Sequence, residues 1–126
     1  LIRIPVSRGE NTRVELRSPD PTANPYLAIA VALMAGLDGI KNKIEPPTHM
    51  DENALSMTEK EREEAGIKTL PDTLMAAIEA FREDPFMKEV LGEQVYNTYL
   101  EEKLNEWNEY RAVVTDWEVS KYLYRY

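Results

Sequence analysis

The sequence has no cysteine and one histidine. Without cysteine neither a disulfide framework nor a thiolate metal site can form, and the composition suits a cytoplasmic protein. The lone histidine, His49, has no thiol or acidic partner at ligand spacing, so it reads as a surface residue and is assigned no site. No apolar run approaches the roughly 20 residues needed to cross a bilayer, and neither a signal peptide nor a start methionine is present. The chain opens in mid-strand at Leu1, which suggests a piece of a longer protein. Internal repeats and low-complexity segments are missing as well. Basic residues are scarce outside one place. The first 17 residues hold Arg3, Arg8, Arg13 and Arg17 against Glu10 and Glu15, a net +2, whereas the rest holds 11 basic and 21 acidic residues, a net −10. An acidic body argues against nucleic acid as a partner, and the arginine-rich start suits small anions such as phosphate and carboxylate, unless its arginines pair with acidic residues of the fold. At 126 residues and 43% hydrophobic content, the chain is long enough for one core.

From Thr12 to Tyr26 the chain reads TRVELRSPDPTANPY. The two-residue period of a strand puts Arg13, Glu15 and Arg17 on one face and Val14 and Leu16 on the other, one face to work and one to pack. On periodicity alone this is an amphipathic edge strand whose charges pair at the surface. The same row, two guanidinium forks flanking a carboxylate, could also hold a metal through Glu15 and an anion through the arginines. Ser18-Pro19-Asp20-Pro21 cannot continue a ladder, because proline lacks the donor and restricts the residue before it, so the strand ends at its functional side chains and hands over to a turn. Upstream, residues 1–6 predict a strand with Ile2, Ile4 and Val6 on one face and Arg3 on the other. The loop Ser-Arg-Gly-Glu-Asn at 7–11, with a turn at Gly9, joins the two strands closely enough for an antiparallel hairpin that sets Arg3 beside the row.

Asn24 is placed to cap a helix with Pro25 in its first turn, and residues 26–37 are apolar or small almost all round, which predicts a core helix buried on most sides. Gly39 either sits inside that helix or stops it. Residues 45–56, with Pro46-Pro47, read as a loop. Thr58 and Glu61 predict a capping box for a short helix ended by Gly66, and Pro71 opens a helix with Leu74, Ala77, Ile78 and Phe81 as its apolar stripe. Asp84-Pro85 begins another. After Gly92, Val95, Tyr99, Leu100, Leu104, Trp107 and Arg111 or Val114 follow helical spacing over about five turns. Thr115 and Glu118 repeat the capping box before a last helix carrying Trp117, Tyr122, Leu123, Tyr124 and Tyr126, whose rings read as packing. The acidic faces within 59–64 and 101–109 read as solvated. The fold class is α+β: an antiparallel strand pair over about 1–17, then a mostly helical region over about 24–126.

Residues 13–44, RVELRSPDPTANPYLAIAVALMAGLDGIKNKI, resemble the signature segment of type I glutamine synthetases without a gap. The likeness continues more weakly through LSMTEKEREEAGIKTLPDTLMAAI and EWNEYRAVVTDWEVSKY. It implies that residues 1–126 are a C-terminal fragment of one catalytic domain. The family's members phosphorylate the side-chain carboxylate of glutamate with ATP and let ammonia displace phosphate from the γ-glutamyl phosphate. They use Mg2+ or Mn2+ and work as ring-shaped homo-oligomers, dodecamers in the full-length family.

The resemblance also implies roles for particular residues. Glu15 falls on the metal-binding glutamate, and Arg17 on the arginine that contacts the glutamate carboxylate and the acyl phosphate. Arg3 falls on an arginine near the transferred phosphoryl group and the glutamate, and Arg13 on one facing the phosphates of ATP. Arg8 lies in the matching loop, on the ATP side. Glu106, just before Trp107 in LNEWNEYR, falls where a glutamate serves feedback inhibition by glutamine in members lacking adenylylation control. Leu55 stands at the place of the tyrosine that other members adenylylate, which argues against that control here. The C-terminal helices match a region that binds regulatory proteins in some bacterial members. The other metal, ammonia and adenine contacts would lie upstream, so the chain alone is expected to be inactive. Two other readings stay open: a ligase joining glutamate to a polyamine or other amine, which would share Glu15 and Arg17, and a non-catalytic, regulator-binding relative, against which the intact Arg13, Glu15 and Arg17 count.

Overall fold

Two short strands pair where the sequence predicts a hairpin. In this computed structural model, which describes residues 2–47 and 56–125, β1 (Ile2–Arg3) runs antiparallel to β2 (Glu15–Leu16), with Ile2 opposite Leu16 and Arg3 opposite Glu15. The strands are shorter than the pattern predicts. Continuing the register would set Pro5 opposite Arg13, and proline has no N–H to give the ladder. A 3₁₀ turn, Gly9–Asn11, occupies the connection, with Gly9 in the left-handed region at φ 71°. The face expected to pack is open: Ile2, Ile4, Val14 and Leu16 are all exposed.

The chain divides into two compact units, Leu1–Glu45 and Pro46–Tyr126. In the first, α1 (Pro25–Asn42) begins as the sequence predicts, with Asn24 Oδ1 accepting from the Tyr26 and Leu27 amides at 3.0 and 3.4 Å and Pro25 in the first turn. Gly39 lies inside the helix. The stop is Lys43, at φ 51° and ψ 44°, where the amides of Lys43 and Ile44 bond to the carbonyls of Ile40 and Gly39 at 3.3 and 2.9 Å. The expectation of a helix buried on most sides is overturned: no α1 residue is buried, and Ile29 is 67% exposed. A pair of two-residue strands offers no face broad enough to cover a helix that is apolar nearly all round.

The second unit is helical. The Thr58–Glu61 capping box starts α2 (Glu59–Glu64), and Gly66 at φ 67° ends it, with the Gly66 and Ile67 amides bonded back to Glu63 and Arg62. Helix α3 (Leu74–Glu83) begins three residues later than Pro71 suggests, because the Thr73 hydroxyl caps it by accepting from the Ala76 amide at 3.1 Å. Asp84 then caps α4 (Pro85–Ala112), which Gly92 breaks at φ 73° and ψ 159°, a conformation open almost only to glycine. A second capping box, Thr115 with Glu118, opens α5 (Asp116–Tyr122).

Helices α3 and α4 pack together and hold the buried hydrophobic residues found among those described, Ile78 at 3% exposure and Tyr96 at 8%. Phe81 stacks on Tyr96 with ring centroids 4.9 Å apart and meets Tyr99 at 5.3 Å, and the Tyr96 hydroxyl donates to the Arg82 carbonyl at 3.3 Å. The predicted stripe named Val95 instead of Tyr96. Val95 is 42% exposed, one residue or about 100° around the helix from the true seam. The rings of the last helix are also less packed than expected: Trp117 meets Tyr122 edge-on at 5.8 Å, yet both are exposed. His49, Leu55 and Tyr126 lie outside the described residues.

Candidate functional site

The hairpin register brings three of the predicted site residues together. Because Arg3 stands opposite Glu15, its Nη1 reaches Glu15 Oε2 at 3.0 Å. Arg13, two residues before Glu15 on the same face, grips the other oxygen: Nη2 and Nε lie 2.9 and 3.2 Å from Oε1. A third Arg13 donor, Nη1, bonds to the Asn11 carbonyl at 3.3 Å. Glu15 is thus a carboxylate with a guanidinium on each oxygen, at 28% side-chain exposure, while both arginines stay about half exposed. The hydrogen bond from Arg3 is the main reason its pKa lies below the ordinary value, with Arg13 adding to the effect and partial desolvation opposing it.

Arg17 lies one strand step further along this face. It is exposed, and no ion pair to it occurs among the described residues. Beyond it the chain enters the turn that the Ser18–Pro21 string predicts, held by side-chain hydrogen bonds that the sequence reading did not specify. Asp20 Oδ1 accepts from the Thr22 amide at 2.7 Å and from the Thr22 hydroxyl, and the Ala23 amide bonds to the Asp20 carbonyl at 3.0 Å. These bonds, the hydroxyl first, hold the Asp20 pKa below its ordinary value. An aspartate two residues before a threonine in a proline-flanked string is the local signal for these bonds. The turn leads directly into the Asn24 cap, so the short path from β2 to α1 is fixed by side-chain hydrogen bonds.

Two other predicted residues sit elsewhere. Arg8 stands apart from the row, its Nη1 donating to the carbonyls of Pro5 and Ser7 at 2.6 and 3.1 Å. Glu106 belongs to the second unit, on α4, where it pairs with Lys103 Nζ at 2.5 Å, and this contact is the main reason the Lys103 pKa is raised. With Trp107, Asp72 and Thr73 it lines an open groove of about 690 Å³.

The donor set around Glu15 falls short of what a divalent metal needs. A hard cation takes six or more oxygen ligands, and a carboxylate supplies at most two. Both Glu15 oxygens face arginine, and among the described residues no group of three His, Cys, Asp or Glu side chains is placed to hold a metal ion. The described residues therefore do not form a metal site by themselves. What the row can do is present guanidinium forks to an anion, in a geometry fixed by the central carboxylate. Among the described residues no helix is long and apolar enough to cross a membrane.

An α+β domain with an exposed guanidinium–carboxylate row on a hairpin is the class these observations define. Comparison with known proteins makes it specific: the model of the glutamine synthetase catalytic domain matches residues 1–122, and the chain belongs to that family. It is 54% identical over 123 residues to a glutamine synthetase of Methanosarcina mazei, covering 98% of this chain and 28% of the relative. Against the glutamine synthetase of Clostridium saccharobutylicum it is 50% identical over 126 residues, again 28% of the relative's length. A Staphylococcus aureus glutamine synthetase is 48% identical over the whole chain. The chain thus spans little more than a quarter of these relatives and matches part of the catalytic domain.

Proposed function

We propose that this chain is part of an ATP-dependent glutamate–ammonia ligase. In that reaction an oxygen of the glutamate side-chain carboxylate attacks the γ-phosphorus of ATP and ADP leaves. The nitrogen of ammonia then attacks the acyl carbon, and phosphate departs as glutamine forms. The observation that carries the reading is identity of 48–54% to curated glutamine synthetases over essentially the full chain.

Phosphoryl transfer is catalysed mainly by positioning and charge neutralisation, and the row suits that work. Arg17, with no carboxylate partner among the described residues, would bind the glutamate carboxylate and then the acyl phosphate. Arg3 would face the transferred phosphoryl group and the glutamate. Arg13 would face the nucleotide phosphates. Glu15 would contribute one carboxylate ligand to Mg2+ or Mn2+, which when bound neutralises phosphate charge, with the other ligands supplied from outside this chain. The whole protein would act in the cytoplasm as a homo-oligomer, a dodecamer on the family pattern. Its C-terminal helices would be a docking place for a regulatory protein.

The test is made on the full-length protein. It should form glutamine from glutamate, ammonia and ATP, and Arg17→Ala should lower turnover roughly a hundredfold or more with little loss of stability, as expected for removing one charge that stabilises a transition state. Turnover that does not depend on ammonia would overturn the reading, and near-normal turnover in the variant would remove Arg17 from it.

A further inference from the structure

In the loop between β1 and β2 only Pro5, at the entrance, is buried. Val6 is 91% exposed, and every residue from Val6 to Asn11 is exposed. Hydrogen bonds at its two ends hold this exposed part. At the entrance Arg8 Nη1 reaches back to the Pro5 carbonyl at 2.6 Å and to the Ser7 carbonyl at 3.1 Å. At the exit Arg13 Nη1 bonds to the Asn11 carbonyl at 3.3 Å, while its other donors hold Glu15. Pro5 lies two residues beyond Arg3, and Asn11 two residues before Arg13. Both tethers therefore act on the backbone that leads into the row.

We propose that Arg8 is a positioning residue. By closing the loop on Pro5 it sets where Arg3 and Arg13 stand on either side of Glu15, and it works through its hydrogen-bond donors, not through its charge. The inference rests on the proposed ligase function and deepens it, because a contact from Arg8 to the ATP phosphates, as its place in the family suggests, is the competing role. The two roles differ in what a substitution should do. A phosphate ligand acts by charge, so any neutral replacement weakens nucleotide binding. A loop tether acts through another residue, so its loss overlaps with loss of that residue and is partly restored by a neutral donor.

The experiment uses the full-length enzyme with Arg8→Met, Arg8→Gln, Arg13→Met and the double variant Arg8→Met/Arg13→Met. Turnover, binding of a non-hydrolysable ATP analogue and amide exchange across residues 6–12 are measured. For a positioning role, Arg8→Met lowers kcat about tenfold, and Arg8→Gln recovers about threefold of that loss. The double variant falls within about twofold of Arg13→Met alone, because the tether has nothing left to position. Amides of residues 6–12 exchange faster in Arg8→Met, although the Tm of the assembled enzyme is unchanged. Analogue binding that weakens about tenfold in both Arg8→Met and Arg8→Gln, with effects that multiply with Arg13→Met, would overturn the proposal and make Arg8 a phosphate ligand. Unchanged kcat in Arg8→Met would overturn it too. If the wild-type full-length protein forms no glutamine, the function reading fails by itself, and the exchange rates still decide the tether: equal rates with arginine or methionine at position 8 would exclude it.

Discussion

Replacing Ile78 with alanine should cost the helical unit about 3 kcal/mol. Ile78 is 3% exposed at the seam of α3 and α4, and the change removes three carbons, each worth ~0.8 kcal/mol of transfer free energy when fully buried. The transfer loss is therefore about 2.4 kcal/mol, to which incomplete collapse adds a cavity cost. Collapse would be poor here. A partly open pocket of about 120 Å³ already lies beside Ile78, lined also by Leu74, Ala77, Phe81, Tyr99 and Leu100, so deletion enlarges an existing gap. Urea unfolding of the 126-residue chain, followed by Trp107 and Trp117 fluorescence and by helical circular dichroism, measures the effect. With a slope of about 1–1.5 kcal/mol per molar, the midpoint should fall by roughly 2–3 M. Ile29→Ala is the control: that residue is 67% exposed on α1, so the shift in this chain should stay under about 0.5 kcal/mol. A loss below about 1 kcal/mol at Ile78, or equal losses at the two sites, would refute the placement of the core in the α3–α4 seam.

Two further outcomes follow from local geometry. Lys43 closes α1 at φ 51°, where a side chain costs about 1 kcal/mol relative to glycine, so Lys43→Gly should slow amide exchange at residues 43 and 44 roughly fivefold; unchanged or faster exchange would contradict the strain argument. For Glu106 we propose a regulatory contact with a neighbouring subunit, made from the position where it now pairs with Lys103. Glu106→Ala in the full-length enzyme should raise the glutamine concentration for half-inhibition several-fold while uninhibited activity and assembly stay the same, and an unchanged inhibition curve would leave Glu106 as a solvated α4 residue.

What could be read from the sequence was local. The facing of Arg3 and Glu15 follows from a two-residue period and a loop short enough for a hairpin, and the structure has that pair at 3.0 Å. Caps at Asn24, Thr58, Asp84 and Thr115 were legible because a capping side chain acts within three residues of itself. The family was legible because the segment from Arg13 to Ile44 keeps its order without a gap. Burial of α1 was not, since apolarity states that a helix needs a cover but not that the cover lies in the same chain. Tyr96 was missed for a different reason: Val95 and Tyr96 both stand about one turn before Tyr99 and Leu100, so helical spacing alone does not decide which of the two faces α3. The Arg8 tether leaves no signature at all, because its acceptors are backbone carbonyls that any residue could offer.

Chemistry and core fall in different units of this chain, and that separation determines how the row responds to its surroundings. Ile78 and Tyr96 lie in the helical unit, whereas Arg3, Arg13, Glu15 and Arg17 lie in the unit of the hairpin and α1. The row is consequently held by charge-assisted hydrogen bonds, which salt screens and acid removes, more than by packing. Its acid response has a definite sign. Glu15 has a folded-state pKa below its ordinary 4.5, so the pairing stabilises the hairpin above that value and is lost as pH falls through the lowered one. Near neutrality Glu15 is fully ionised, and both guanidinium groups stay oriented. A variant such as Glu15→Gln would keep the shape of the row but release that orientation at every pH, which makes the carboxylate the element that arranges the arginines as well as a candidate ligand for a metal.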